Sequence, residues 1–333
     1  MINNPDIAVI GDGGWGTTLA ILLSRKGYKV TIWGAFSDYV TRVNRTRINK
    51  RFLPGIKIPK AIEITHDLGA ALKGKDLIVL AAPSQYLRGV LQDIKRLGYP
   101  GQAIFVSVTK GIEIGSAKTM AQLIREELGR VKLVVLSGPT IAHEVAVGVP
   151  TVAVAASADA AAAKLVQDIF MSERFRVYTN RDVSGVELGG SLKNIIAIAC
   201  GISDGLGFGT NTKAAILSRG LAEISRLGVA MGASAHTFSG ISGLGDLVTT
   251  CFSSYSRNRF VGVEIGKGKT LKQVQARMQM VAEGVPTAKS GYALSKKYKV
   301  DMPITREIYF VLYKDKSPLQ AFKDLMGRKK KEE

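Results

Sequence analysis

The chain has 333 residues, 46% of them hydrophobic and 22% charged, with a formal net charge of +19. That length supports two domains with their own cores, and the balance excludes a disordered chain. No run reaches the roughly 18 uncharged apolar residues of a membrane span, and the first six residues carry no secretory pattern, so a cytoplasmic protein without membrane insertion is expected.

The elements begin with an apolar run at residues 7–10 that leads into Gly11-x-Gly13-x-x-Gly16, with a helical pattern over 17–26. A strand, glycine turn and helix in this order open a dinucleotide-binding βαβ unit. Gly11 permits the tight turn, Gly13 the approach of a pyrophosphate, and Gly16 the close packing of helix on sheet. Further apolar runs at 29–33, 76–81, 103–108, 131–136, 151–155 and 175–178 predict strands. Amphipathic stretches at 87–97 and 118–128 predict helices between them. Continuous apolar strands alternating with helices imply a doubly wound, parallel α/β sheet. After residue 180 the pattern turns helical, over 186–201, 212–227, 235 onward, 271–280, 286–297 and 304–313. Glycine and serine clusters at 201–209, 239–245 and 262–268 are expected to be connections. The predicted organisation is an α/β domain over 1–180, an all-α domain over 181–327 and a mobile basic tail over 328–333.

The tail contributes only +2 of the charge, so basic residues spread through the whole fold. Aromatic residues are 7% and not interleaved with the basic runs. That composition suits anionic small molecules better than nucleic acid. Cys200 and Cys251 lie far apart and read as free thiols in a reducing compartment; His66, His143 and His236 form no cluster, so no metal is expected.

In a doubly wound sheet the ligand lies beyond the carboxyl ends of the strands. Trp15, inside the first such turn, either packs on the cofactor or caps the core. The second strand ends in Gly34-Ala35-Phe36, with no carboxylate for a ribose 2′-hydroxyl, and this leans toward NADP over NAD. The fourth predicted strand delivers Lys110 to the cleft, and the fifth delivers Gly138 and Thr140, followed by Ala142. In the helical half, Lys193 sits among Ile195, Ile196 and Ile198. An ammonium there either snorkels to water or reaches a site, where apolar company suits it to acid–base work. Gly189, one turn earlier on the same face, leaves room for a ligand or a neighbouring backbone. Asp246 orients a lysine or a substrate hydroxyl, or caps the next helix. Ser256-Arg257-Asn258, expected in a loop, has the chemistry of a phosphate clamp.

Together these segments resemble the bacterial-type NAD(P)-dependent glycerol-3-phosphate dehydrogenases. The likeness runs through Gly11-x-Gly-Gly-Trp-Gly-Thr, Ser137-Gly-Pro-Thr, Glu187-Leu-x4-Lys-Asn, Asn211-Thr-Lys-Ala-Ala-Ile-Leu-Ser-Arg, Gly243-Leu-Gly-Asp-Leu, Ser256-Arg-Asn and Glu283-Gly. The resemblance implies a Rossmann domain followed by a helical domain like the C-terminal domain of 6-phosphogluconate dehydrogenase. It implies hydride transfer between NAD(P)H and dihydroxyacetone phosphate, for phospholipid synthesis, in a possible homodimer. Lys193 would be the acid–base residue, with Lys110 and Asp246 beside it in the catalytic set. Gly138, Thr140, Ser256, Arg257 and Asn258 would complete the substrate shell. Gly14, Trp15, Ala35, Phe36, Ala142, Val281 and Glu283 would meet the cofactor, together with Lys110 and Arg257. Ala35-Phe36 lacks the basic residue often found there in this family. The competing readings are a two-domain dehydrogenase acting on a 3-hydroxy acid, and a nucleic-acid-binding protein on the same core.

Overall fold

A computed structural model describes residues 4–330 and 332. Lys331 and Glu333, in the expected basic tail, lie outside the described residues. The chain divides into two compact units, Met1–Lys110 with Lys118–Glu187, and Gly111–Ala117 with Leu188–Glu333.

In the first unit strands and helices alternate: β1 (Ile7–Ile10), α1 (Gly14–Arg25), β2 (Val30–Trp33), α2 (Ser37–Thr46), β3 (Glu63–Thr65), α3 (Leu68–Leu72), β4 (Leu77–Leu80), α4 (Leu87–Leu97), β5 (Ile104–Ser107), α5 (Met120–Leu128), β6 (Lys132–Ser137), α6 (Ala142–Ala146), β7 (Thr151–Ala156), α7 (Ala160–Phe170) and β8 (Phe175–Asn180). They form one sheet in the order β3-β2-β1-β4-β5-β6-β7-β8. Every residue of β1, β4 and β5 is buried, which accounts for their continuous apolar runs. The strand order turns back between β1 and β4, so the glycine turn after β1 lies against Ala81, just past β4. A Cβ on Gly11 (φ 127°) would stand 2.7 Å from the Ala81 carbonyl carbon, so only glycine fits there.

The sheet departs from the expected parallel pattern at one pair, because β7 runs antiparallel to β6. Residues 138–150 connect the two strands, and only five of them, Ala142–Ala146, form a helix, α6. The chain re-enters the sheet from the end at which β6 left it. Strand β3 has only three residues, with Ile64 buried, and so gives too short a pattern to predict.

The second unit holds α8 (Val183–Gly205, shared at its start with the first unit), α9 (Thr210–Ala230), α10 (Ala235–Ser239), a π-helical turn (Ile241–Gly245), α11 (Asp246–Phe252), α12 (Arg257–Gly266), α13 (Leu271–Ala276), α14 (Gly284–Lys297), α15 (Pro303–Tyr313) and α16 (Pro318–Met326). α8 is long and apolar enough to cross a membrane by length and composition, with a mean hydropathy of 1.3, although Glu187, Lys193 and Asp204 interrupt it. That whole window is buried inside the protein. Packing also overrules two expected connections. Gly201 and Gly205 lie within α8, and Gly262 and Gly266 within α12. Across this crossing a Cβ on Gly262 would sit 2.1 Å from the Ile198 carbonyl oxygen, and one on Gly201 would sit 2.1 Å from that of Arg259. The glycines are the contact that lets two helix backbones touch, a use that sequence period does not distinguish from a turn. The two cysteines, distant in sequence, are buried free thiols, and the neighbouring Cys200 together with burial pushes the Cys251 thiol up.

Two buried glutamates cap helices. Glu187 accepts from Ala121 N at 2.7 Å at the start of α5, and Glu223 from Ile304 N at 2.6 Å and Thr305 N at 3.1 Å at the start of α15. A carboxylate suits the positive end of a helix. Burial nevertheless pushes each carboxyl up to about 7, against the pull of those hydrogen bonds. The folded protein thus holds a proton on Glu223 more readily than the unfolded chain, and the stabilisation it gives must fall as pH rises from about 4.5 toward 7. Relative to Glu223→Gln, the wild-type melting temperature should decline across that window and the difference should level off above it, as thermal unfolding at a series of pH values will show. Gly262→Ala should destabilise by about 1–3 kcal/mol through overpacking. Gly89→Ala, exposed within α4 and with nothing near its Cβ position, should stabilise by about 0.5–1 kcal/mol. Denaturant titration of the two variants measures both signs.

Candidate active site

Each unit gathers a cluster of the residues singled out above. In the first unit, Gly13 is the N-cap of α1 and gives no side-chain cap, and the first turn of the helix carries no acidic residue. No atom lies within 4 Å of the place a Gly13 Cβ would occupy. Uncapped N–H groups at the positive end of a helix, reached through an open glycine face, fit a pyrophosphate. The loop after α2 is tied onto this turn by Asn49, which donates to the Asp12 carbonyl at 2.7 Å and to Thr17 Oγ1 at 2.9 Å, and accepts from Tyr39 Oη at 2.6 Å. The Phe52 carbonyl oxygen comes so close that a Cβ on Gly14 would stand 2.5 Å from it. Trp15 packs on the core and lies 6.5 Å from Phe175, with its indole N–H buried and without a partner. Ala142 opens α6 beside the turn, where its carbonyl accepts from Thr18 Oγ1 at 3.0 Å. Ala35 and Phe36 are exposed past β2.

Past β5 and β6, Lys110 donates to the Gly138 carbonyl at 2.7 Å and to Thr140 Oγ1 at 3.3 Å. The three predicted residues therefore meet, and the ammonium sits at the carboxyl ends of the strands.

In the second unit, the Lys193 ammonium pairs with the Asp246 carboxylate and donates to Thr250 Oγ1 at 2.6 Å. Lys193 and Asp246 are only 5% and 1% exposed, so this is an ion pair inside apolar packing and not a snorkelling lysine. Gly189 makes the pairing possible. A Cβ there would stand 2.8 Å from the Ser242 carbonyl oxygen, so the glycine admits the backbone of the π-helical turn onto α8. That turn delivers Asp246, the first residue of α11, to Lys193. Of the two uses left open for Gly189, the space is taken by a neighbouring backbone. Thr250 escaped the sequence reading, although its place four residues after Asp246 puts it on the same helix face.

Ser256-Arg257-Asn258 is not in a loop. Ser256 caps α12, accepting from Arg259 N at 3.2 Å, and the other two residues form the helix's first turn. Arg257 is exposed and donates to the Val281 carbonyl at 2.8 Å, just before Glu283 and the start of α14. Asn258 is buried: it donates to Asn194 Oδ1 and accepts from Gly284 N, both at 2.8 Å. It thus joins α8, α12 and α14 next to Lys193. Asn49 and Tyr39 also escaped the sequence reading, since their contacts reach 37 residues along the chain to Asp12 and leave no local pattern. Among the described residues, no group of three or more His, Cys, Asp or Glu side chains could hold a metal ion.

Residues 6–163 match the family model for the NAD-dependent glycerol-3-phosphate dehydrogenase N-terminus, and residues 182–323 the model for its C-terminus. The chain is 51% identical over 331 residues to a glycerol-3-phosphate dehydrogenase [NAD(P)+] of Geobacter sulfurreducens, covering 98% of each chain. It is 50% identical to one from Prosthecochloris aestuarii, covering 98% of this chain and 99% of the other. Its fold superposes on the crystal structure of glycerol-3-phosphate dehydrogenase from Coxiella burnetii with a TM-score of 0.95 at 38% identity, covering 98% and 99% of the two chains.

Removal of the Asn258 side chain leaves Gly284 N and Asn194 Oδ1 buried without their partner. Asn258→Ala should therefore lose about 1–3 kcal/mol of stability, a loss that a contact with substrate alone would not cause. Chemical denaturation of the ligand-free variant measures it.

Proposed function

The chain belongs to the NAD-dependent glycerol-3-phosphate dehydrogenases, and from that premise we propose how its residues share the reaction. The enzyme interconverts dihydroxyacetone phosphate and sn-glycerol 3-phosphate with NAD(P)H or NAD(P)+, in the service of phospholipid synthesis. The dinucleotide, when bound, supplies or accepts the hydride. Its pyrophosphate is assigned to the glycine turn and the first residues of α1, where Gly11, Gly13, Gly14, Trp15 and Gly16 lie, with Ala35, Phe36, Ala142, Val281 and Glu283 as further contacts.

The observation that carries the assignment of roles is the buried Lys193 ammonium, held by Asp246 and Thr250. Reduction of the ketone places negative charge on its oxygen. An ammonium beside that oxygen stabilises the charge and then gives up a proton to it. In the oxidative direction the neutral amine takes the hydroxyl proton. Asp246 keeps the ammonium charged and oriented in an apolar setting that would otherwise disfavour it. Thr250 donates to the Asp246 carbonyl at 2.7 Å, so its hydroxyl oxygen is turned to accept from Lys193. Lys110 is assigned to cofactor and substrate together, with Gly138 and Thr140 fixing its position. Arg257, on the exposed first turn of α12, offers a guanidinium fork for the substrate phosphate, with Ser256 and Asn258 beside it and the helix N-terminus behind it. A cytoplasmic homodimer is part of the same proposal.

Lys193→Ala should fold, retain nucleotide binding, and lose about 10²–10⁴ in turnover. Absorbance at 340 nm with dihydroxyacetone phosphate reads turnover, and nucleotide fluorescence reads binding. Near-normal turnover would remove the assignment.

A further inference from the structure

Asp12 lies in the glycine turn, between Gly11 and Gly13, and its side chain points toward the end of β2. Its Oδ2 is buried and meets no hydrogen-bond donor among the described residues, while the residue as a whole is half-buried. A Cβ on Gly34 would stand 2.6 Å from that oxygen, so the carboxylate occupies the space beside Gly34 that a side chain would fill. In a doubly wound dinucleotide fold the end of the second strand is where an acidic residue meets the adenosine ribose 2′-hydroxyl. Here that strand ends in Gly34-Ala35-Phe36 and provides no carboxylate. The neighbouring strand provides one in the same place.

We propose that Asp12 is the specificity residue of the dinucleotide site, and that its carboxylate selects NAD(H) over NADP(H). This rests on the assignment of the glycine turn to the dinucleotide. A ribose 2′-hydroxyl offers a proton to this carboxylate, whereas a 2′-phosphate sets two or nearly two negative charges against it. Discrimination of this kind works by repelling the wrong ligand. The missing carboxylate past β2, taken alone, leaned toward NADP, but Asp12 restores the acidic group that this reasoning found absent.

The cations nearby do not cancel the effect. Arg47 is engaged by Asn44 Oδ1 at 2.8 Å and by the Pro59 and Ile62 carbonyls at 2.5 Å. The Arg51 guanidinium lies over the Phe52 ring at 5.1 Å, and that of Arg42 over the Tyr39 ring at 5.5 Å. Arg42 and Arg51 are exposed, so salt and water screen them. Burial raises the Asp12 carboxyl, and a backbone hydrogen bond at the same residue and the charge of Arg51 offset part of the rise.

The test is equilibrium binding of NADH and NADPH, followed by nucleotide fluorescence, in the wild type, Asp12→Asn and Asp12→Ala. The wild type should bind NADH at least tenfold more tightly than NADPH. Asp12→Asn should tighten NADPH about tenfold and weaken NADH by a smaller factor. A purely structural role would weaken both, and parallel changes or a wild-type preference for NADPH would overturn the proposal. ADP-ribose and 2′-phospho-ADP-ribose, competed against NADH on the wild type, give the same comparison even if a variant fails to fold. Tighter competition by the phosphorylated probe overturns the proposal. A wild type that binds NADH selectively but does not reduce dihydroxyacetone phosphate would defeat the assigned reaction and leave the role of Asp12 standing.

Discussion

An ammonium inside an apolar helix bundle must be paired, and the second unit is organised by that requirement. Lys193 stands on α8, whose buried surface is mostly valine, isoleucine, leucine, alanine and glycine, with Glu187, Ser191, Asn194 and Ser203 as the other buried polar residues. Its partner comes from a different helix, and the partner can arrive only because the backbone of the π-helical turn rests directly on Gly189. Removing one member would leave the other buried and unpaired, which is far costlier than losing an exposed ion pair. The pair therefore fixes the approach of α11 to α8, while the close glycine crossing at Gly201 and Gly262 fixes that of α12. Two contacts of different kinds, one ionic and one steric, set the places of Lys193, Asp246, Asn258 and Arg257.

The first unit was legible for a simple reason. Strands buried on both faces must be apolar throughout, and the helices between them must be amphipathic, so β1, β2, β4, β5, β6 and β7 stand out one by one, while β8 shows by the alternation of an edge strand. The direction of β7 was not legible, because an apolar run reads the same whether the strand is parallel or antiparallel to its neighbour. In the second unit the helices show by period, but glycine misleads. Residues 201–205 and 262–266 resemble turns in sequence, and they are in fact the surfaces where α8 and α12 meet. A glycine that frees the backbone and a glycine that admits a neighbour look alike until the neighbour is known.

The candidate site divides along the same line. Lys110, Gly138 and Thr140 were found because strand ends in this fold are functional positions, and the hydrogen bonds among them follow from adjacent strands. Lys193 was found because a lysine in an apolar helix needs an explanation. Asn49 and Tyr39 carried no signal, since a buried amide that ties a loop to a turn resembles any surface asparagine in sequence. Asn258 was read as a phosphate ligand. Its side chain joins three helices, so whatever it offers a substrate comes after a structural duty.

The excess of positive charge makes the buried acids informative. With 46 basic residues against 27 acidic ones, most cations lie on solvated faces, where they attract anions without stabilising the fold. The buried carboxylates are instead committed one by one: Glu187 and Glu223 to helix ends, Asp246 to Lys193, and Glu307 to Arg306 and Lys316. Asp12 departs from this rule, with a shielded oxygen that no donor among the described residues meets. A backbone hydrogen bond at Asp12 and the charge of Arg51 offset only part of the cost of burying it. On the proposed reading, the ribose hydroxyl of a bound dinucleotide is the further donor this carboxylate meets.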